Sequence, residues 1–240
     1  LVVDHWVEDL RRTKEAVEIE ACARAAALTD AAFDHVLGVI RPGMREIDVA
    51  LALEVYMRSH GSEGLAFDPI VASGPNSSRP HAGVTERVIG TRELLKMDFG
   101  ARVDGYCADL TRTVVVGSAT DEMRRMYDAV LAANEAALAV VRPGAAAADV
   151  DRVARGVLEG RGFGDNFTHG LGHGVGLVVH EAPAVGPRSR DTLRVGNVVT
   201  IEPGVYVPGF GGVRIEDLVA VEDGGSRLLS HAPKHLIELQ

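Results

Sequence analysis

The sequence predicts an α+β fold arranged as one pseudo-symmetric domain. An order of two helices followed by strands occurs twice along the 240 residues. Arg41-Pro42-Gly43 returns 101 positions later as Arg142-Pro143-Gly144, and other residues recur at the same shift. Such self-similarity indicates an internal repeat, and two copies are too few for a solenoid. We therefore expect a single domain whose site lies between the two halves.

Apolar residues at three-to-four spacing predict the helices. The expected helices cover 11–40, Glu46–Ser59, Asp121–Val141 and about 147–159. The first and third are stopped by the two Pro-Gly pairs, because proline cannot continue a helix and glycine favours its end.

Short β-branched runs between turn residues predict the strands. In the first half these runs are FDPIVASG, RVIG, LLKMDFG and TRTVVVG, all within 66–117. From 166 onward strands and glycine-rich turns dominate.

Composition excludes several classes of protein. The chain carries 25 basic and 34 acidic residues, a net charge of −9, which argues against a nucleic-acid partner. No apolar run approaches the roughly 20 residues of a membrane span, so no membrane partner is expected. Cys22 and Cys107 are too few for a disulfide framework, and we expect a cytoplasmic protein. The chain begins with Leu1, from which we expect a fragment or a processed chain, with loss of an N-terminal domain as one option.

Two acidic residues are expected to face each other in a hairpin of the first half. Folding KMDFG and CADLTRTVVV about a turn near Asp104 pairs Asp98 with Asp109. Paired residues point to the same face, and like charges there are destabilising unless a cation lies between them. For one such pair, a solvated hairpin with two surface acids is the alternative.

The second half repeats this arrangement and weakens that alternative. Glu202 and Glu216 pair about the turn PGFGG, and both lie in core-like strands. Four carboxylates converging from two repeats would bring about four negative charges into one cleft. Two divalent cations are the simplest compensation.

The segment HGLGHGVGLVVHEAP is expected to supply a nitrogen ligand. Its histidines are His169, His173 and His180, and its glycines make a helix implausible. HEAP is not the HExxH metalloprotease motif. His81, in SGPNSSRPHAG, is a weaker candidate whose alternative is a turn residue. Phosphate-binding, dinucleotide-binding and nucleophile-elbow motifs do not match.

Together these motifs resemble the pita-bread metallopeptidases (M24), which comprise Xaa-Pro aminopeptidases, Xaa-Pro dipeptidases and methionine aminopeptidases. The resemblance covers nearly the whole chain, from LRRTKEAVEIE through MDFGARVDGYCADLTRTVVVG and TIEPGVYVPGFGGVRIED. It implies a pita-bread fold, with a central curved sheet, and one catalytic domain over 1–240. Xaa-Pro relatives usually carry a separate N-terminal domain, which we expect to be absent from this chain.

The resemblance also implies roles for individual residues. Five positions match the family's ligands to two divalent metal ions: Asp98 on one metal, His173 and Glu202 on the other, and Asp109 and Glu216 bridging both. His81 and His180 match active-site histidines that contact substrate and the reacting carbonyl. Glu202 would also shuttle a proton to the leaving nitrogen.

The residues around Glu216 favour the Xaa-Pro branch. They read Arg214-Ile215-Glu216-Asp217, which differs from the sequence typical of methionine aminopeptidases at this position. Arg214 and Glu216 are two apart on a strand, so both are expected to face the site. Carboxylate ligands with one imidazole favour Mn²⁺ or Co²⁺, with Zn²⁺ or Fe²⁺ as alternatives. The expected partners are short proline-containing peptides, with a homodimer as one option for assembly. Methionine aminopeptidase activity and a non-catalytic binding module stay open.

Overall fold

The computed structural model describes residues 6–240, so Leu1 lies outside the described residues. Five α-helices are present in this range: α1 (Trp6–Arg12), α2 (Ala16–Leu37), α3 (Glu46–Ser59), α4 (Asp121–Leu138) and α5 (Ala147–Gly160). Short 3₁₀ helices span Gly74–Ser78 and Gly164–Asn166. The predicted helix at Glu46–Ser59 is confirmed at both ends, and α4 and α5 confirm the helices expected in the second half.

The strands of the described residues are short and mostly antiparallel. They are β1 (Gly64–Leu65), β2 (Ile70–Ser73), β3 (Glu93–Phe99), β4 (Ala101–Val103), β5 (Tyr106–Cys107), β6 (Leu110–Val116), β7 (Gly172–Gly174), β8 (Glu181–Val185), β9 (Val198–Ile201), β10 (Gly204–Val207), β11 (Gly211–Arg214), β12 (Asp217–Glu222), β13 (Gly225–Leu228) and β14 (Glu238–Leu239). They form sheets in the orders β14-β6-β3-β2, β13-β12-β9-β7-β8, β1-β4-β5 and β10-β11. The α+β class is confirmed.

The two halves of the molecule repeat each other. The antiparallel order β2-β3-β6 in the first half corresponds to β7-β9-β12 in the second, and a helix pair accompanies each. Isolated bridges join Arg45 to Val88 and Ala146 to Thr192, so each half ties the start of its second helix to an equivalent loop. The repeat predicted from the sequence is therefore present in the backbone.

Each half has an apolar core between its helices and its sheet. In the first half, Phe33 of α2 and Leu53 of α3 pack with Met97 of β3. In the second half, Val130 of α4 and Leu158 of α5 pack with Val199 of β9. These buried layers support the strands from behind and leave their other face free for polar side chains.

The expected single helix over 11–40 is wrong, because the chain leaves the helical path between α1 and α2. Thr13, Lys14 and Glu15 are not helical. Glu15 caps α2 through a capping box with Glu18, and the backbone N–H of Lys14 donates to Gly196 O at 2.8 Å. The carbonyl of Gly196 thus accepts a hydrogen bond from the Lys14 N–H, which in a continuous helix would have bonded within the helix instead.

The strand expected at RVIG is also wrong. Residues 87–90 form no strand, and Val88 makes only an isolated bridge. Side-chain contacts replace the ladder here: the guanidinium of Arg87 donates to both carboxylate oxygens of Glu93, at 2.7 and 2.6 Å.

Within residues 6–240, no helix is long and apolar enough to cross a membrane.

Candidate metal centre

One cavity of about 190 Å³ gathers every site residue predicted from the sequence. The predicted residues in its wall are His81, Asp98, Asp109, His173, His180, Glu202, Arg214 and Glu216. Phe67, Ile70 and Val179 complete the wall with apolar surface. The cavity is smaller than the roughly 300–1,000 Å³ of sites that take drug-sized ligands, which favours a small ligand.

The first acidic pair reaches the cavity from β3 and from the residue that precedes β6, in a register two residues away from the expected one. Asp98 lies opposite Thr111 rather than Asp109. The reversal occurs at Asp104 and Gly105, both at positive φ, so the turn lies one residue later than expected. A shift of two keeps side chains on the same face, and Asp98 and Asp109 therefore still converge.

The second acidic pair occupies the register that the sequence predicts. Gly204 lies opposite Arg214 in one ladder and Ile201 opposite Asp217 in the next, so Glu202 and Glu216 face each other between them. Glu216 is 1% exposed. Its carboxylate accepts a hydrogen bond from the hydroxyl of Thr111 at 2.6 Å, which joins the second acidic pair to the strand of the first.

The glycine-rich segment brings His173 to the carboxylates as an extended strand. A Cβ on Gly172 would lie 2.0 Å from Thr200 O, and one on Gly174 would lie 2.2 Å from Ala182 O. Only glycine permits this close approach of backbones. The Nε2 atom of His173 lies 3.5 Å from Asp109 Oδ2 and 3.4 Å from Glu202 Oε1.

Burial and mutual repulsion shift the pKa values of these groups. Burial raises the pKa of Asp109 well above its ordinary value, and the negative charge of Glu216 is the second largest cause. Burial likewise raises the pKa of Glu216 well above its ordinary value and that of Glu202 to about 7. Burial lowers the pKa of His173 to about 4, which leaves its imidazole neutral and able to bind a metal.

Arg214 is buried beside the acids, and all three of its guanidinium nitrogens donate to protein acceptors. Its Nε donates to Thr111 Oγ1 at 2.9 Å, and Nη1 donates to Pro80 O at 3.1 Å and to the hydroxyl of Tyr206 at 3.0 Å. Nη2 donates to Asp98 Oδ2. Arg214 and Glu216 both line the cavity, as expected, although Glu216 lies between β11 and β12 rather than on one strand with Arg214.

The two remaining histidines lie at the mouth of the cavity. His180 and His81 are both exposed. The ring of His180 packs against that of His173, with centroids 4.2 Å apart. Although His81 is exposed as a residue, partial desolvation of its imidazole, followed by the charge of Arg214, lowers its pKa. His169, the third histidine of the glycine-rich segment, lies outside this cavity and bonds to Tyr206.

The donor atoms fit a divalent cation. Ligand atoms of Asp109, His173 and Glu216 all lie within 4.8 Å of one another. Asp98 Oδ1 is the one buried side-chain oxygen of residues 6–240 without a hydrogen-bond partner, which leaves a lone pair free in the cavity. Buried carboxylates that repel one another and keep an unsatisfied oxygen are a ligand set that a cation would complete.

Sequence reasoning missed Thr111 and Tyr206, which organise the centre without lining it. Thr111 links Arg214 to Glu216 through one hydroxyl. Strand alternation could have revealed Thr111, because it lies two residues after Asp109 and so faces the same side. Tyr206 gave no such signal, since its contact with Arg214 depends on how β10 and β11 pair.

The metal-free protein should lose stability as the pH rises from about 6.5 through about 7, the value to which burial raises the pKa of Glu202. Asp109 and Glu216 have raised pKa values in the folded state, so they favour folding only while protonated, and that contribution is lost as they ionise. Histidines with lowered pKa values add stability only up to about pH 6.5, where the unfolded chain stops binding their proton. Thermal unfolding in excess chelator measures the trend.

Saturating Mn²⁺ is the control for this experiment. A bound cation stabilises the ionised carboxylates and should remove the fall in melting temperature over the same range. A metal-free protein whose melting temperature rises between these pH values would contradict the interpretation.

Comparison with known proteins agrees with this geometry. The model of metallopeptidase family M24 matches residues 20–223. The Xaa-Pro dipeptidase of Pyrococcus furiosus is 40% identical over 235 residues, which are 98% of this chain and 68% of that protein. A solved structure of an Xaa-Pro dipeptidase from Bacillus anthracis superimposes with a TM-score of 0.97 at 43% identity, covering 99% of this chain and 67% of that one.

A solved X-Pro aminopeptidase from Thermotoga maritima is also similar, with a TM-score of 0.96 at 39% identity over 98% of this chain and 67% of that one. The chain thus spans about two thirds of the length of the relatives it matches. The extent of the match and the donor set of the cavity lead to one conclusion: this chain belongs to metallopeptidase family M24, whose members use divalent metals.

Proposed function

We propose that this chain is a dinuclear-metal peptidase that hydrolyses the Xaa-Pro bond of dipeptides or short peptides. The observation that carries the proposal is the convergence of four carboxylates and the neutral imidazole of His173 on a single small cavity. Relatives that align over nearly the whole chain are named Xaa-Pro dipeptidase and X-Pro aminopeptidase, which supports this substrate class.

The proposed ligands divide between two cations. Asp98 would hold one ion and His173 with Glu202 the other, while Asp109 and Glu216 would bridge both. Four carboxylates offer a charge that two divalent ions neutralise. Oxygen ligands with a single imidazole and no thiolate suit Mn²⁺ or Co²⁺, with Zn²⁺ and Fe²⁺ as the alternatives.

Divalent cations bound here would supply Lewis-acid polarisation of the scissile carbonyl and a more acidic water. The protein's own groups do the rest. His180, at the cavity mouth, would donate a hydrogen bond to the carbonyl oxygen as negative charge develops there. Glu202 would carry a proton to the leaving proline nitrogen, which has no N–H after the bond breaks until it is protonated.

The size and lining of the cavity support a short substrate. A volume of about 190 Å³ suits a small ligand rather than a large one. Phe67, Ile70 and Val179 offer apolar surface against which a pyrrolidine ring or an aliphatic side chain would pack. Arg214 would orient the carboxylate of Asp98 through the hydrogen bond from Nη2.

Hydrolysis assays on the purified chain test the proposal. With Mn²⁺ present, the chain should release proline from Ala-Pro, lose this activity in a chelator and recover it with Mn²⁺ or Co²⁺. Ala-Pro-Ala in a parallel assay separates a dipeptidase, which leaves it intact, from an aminopeptidase, which releases its first residue.

Met-Ala is the comparison substrate for the rival activity. Cleavage of Met-Ala without cleavage of either proline peptide would replace the proposal with methionine aminopeptidase activity. Stoichiometric metal binding without hydrolysis of any of the three peptides would replace it with a non-catalytic binding module.

A further inference from the structure

The break between α1 and α2 is held in place by contacts with the second half of the chain. The N–H of Lys14 donates to Gly196 O at 2.8 Å. Gly196 has a φ of +87°, and a Cβ there would lie 2.8 Å from Lys14 O, so the two backbones touch. The side-chain amide of Asn197 adds a hydrogen bond to Arg12 O at 3.0 Å. These contacts together hold the backbone at Lys14 in place.

The break directs the Lys14 side chain into the protein, where it meets Glu181. The Lys14 side chain is 2% exposed and its Nζ donates to Glu181 Oε1. Arg11, at the end of α1, donates from Nη2 to the other carboxylate oxygen at 2.8 Å. The Glu181 side chain is 8% exposed. Each oxygen of a buried carboxylate is thus held by its own cation, an arrangement that is strong and geometrically restrictive.

The chain also makes room for this carboxylate at a second point. A Cβ on Gly176 would lie 2.5 Å from Glu181 Oε1, so any larger residue would displace the carboxylate. The backbone of Glu181 pairs with Gly174 between β7 and β8. Glu181 is therefore fixed through both its side chain and its backbone.

Glu181 directly follows His180 along the chain. His180 is exposed at the cavity mouth and packs on one side against His173. An exposed side chain has few neighbours to fix it, so its position depends on the backbone that carries it. The ion pairs at Glu181 restrain that backbone one residue away.

We propose that Lys14 and Glu181 are positioning residues that set the place of His180 at the cavity. A lysine from the non-helical link after α1 thereby supports the reaction centre without touching a proposed metal ligand. The inference rests on the proposed function, because its effect is exerted on the role assigned to His180.

A double-mutant cycle on the Mn²⁺-loaded chain tests the proposal. Lys14→Met should lower kcat for Ala-Pro by about tenfold, at the low end of what supporting partners of a site contribute, with KM within about twofold. His180→Ala should lower kcat more, with metal content intact. In the His180→Ala background, Lys14→Met should lower kcat by less than about twofold, because the residue through which it acts is gone.

Three further variants sharpen this cycle. Lys14→Arg keeps a cation near Glu181 and should retain most of the activity. Arg12→Met is the matched control, because Arg12 lies in the same segment but pairs with Asp191 at 2.7 Å; its kcat should stay within about twofold of wild type. Should Lys14→Met fail to fold, Glu181→Gln takes its place in both backgrounds, since it keeps the side-chain volume and removes the charge.

The possible outcomes separate the two proposals. An equal loss of kcat from Lys14→Met with and without His180 would overturn the positioning role, as would a loss of bound metal measured by elemental analysis. If the wild-type chain binds metal and leaves both Ala-Pro and Ala-Pro-Ala intact, the proposed function itself is wrong.

Discussion

Replacing Glu216 with glutamine should abolish Xaa-Pro hydrolysis and weaken metal retention. The change keeps the volume of a side chain that is 1% exposed, but it removes the charge with which we propose that Glu216 bridges two cations. Partners beyond the ligands of metal sites typically contribute 10–100-fold in affinity or activity, so loss of a bridging ligand should exceed about a hundredfold in kcat/KM. Ala-Pro turnover and elemental analysis after dialysis measure both effects.

Glu222→Gln provides the matched control for this variant. Glu222 ends β12, the strand that follows Glu216, and pairs with Arg227 away from the cavity. Its replacement should leave turnover and metal content within about twofold of wild type, because ion pairs this exposed contribute little. Full activity of Glu216→Gln after chelation and dialysis would remove the metal centre from the proposal.

Replacing Arg214 with lysine should lower kcat/KM for Xaa-Pro substrates by about 10–100-fold while the protein stays folded. Lysine keeps the positive charge but loses the planar fork, and Arg214 uses all three guanidinium nitrogens on protein acceptors. The hydrogen bond to Asp98 and the link through Thr111 to Glu216 would both be lost. Kinetics on Ala-Pro and Ala-Pro-Ala, with melting temperature measured in parallel, give the result.

Arg155→Lys is the corresponding control outside the centre. Arg155 is a partly buried arginine that forks onto Asp151 and donates to Phe167 O. The same chemical change there should affect the melting temperature and leave kcat/KM unchanged. Near-wild-type kinetics of Arg214→Lys on both peptides would show that only the charge at this position matters.

The residues of the centre could be predicted because local patterns determine which face of a strand a side chain occupies. Alternation places Arg214 and Glu216 together, and pairing about PGFGG brings Glu202 opposite Glu216. The internal repeat then relates this pair to Asp98 and Asp109. The predicted register of the first hairpin was wrong by two residues. The predicted face of Asp98 and Asp109 was still correct, because side chains on a strand repeat their direction every second residue.

Tertiary structure decided the features that depend on distant segments. The pattern of LRRTKEAVEIE is helical throughout, yet Gly196 and Glu181 draw Lys14 out of the helix through contacts more than 160 residues away in sequence. The predicted strand at RVIG is a second example: these residues form no strand, and the side chain of Arg87 bonds to Glu93 instead. Periodicity reports what neighbouring residues favour, and it contains no information about such partners.

The electrostatics of the centre also required the folded structure. The sequence by itself predicted that four carboxylates, a histidine of the glycine-rich segment and an arginine would share a site. Only the assembled cavity determined that burial raises the pKa values of Asp109 and Glu216 and leaves an oxygen of Asp98 unpaired. The physical reason is that desolvation depends on how completely both halves close around a group, and this closure is a property of the whole fold.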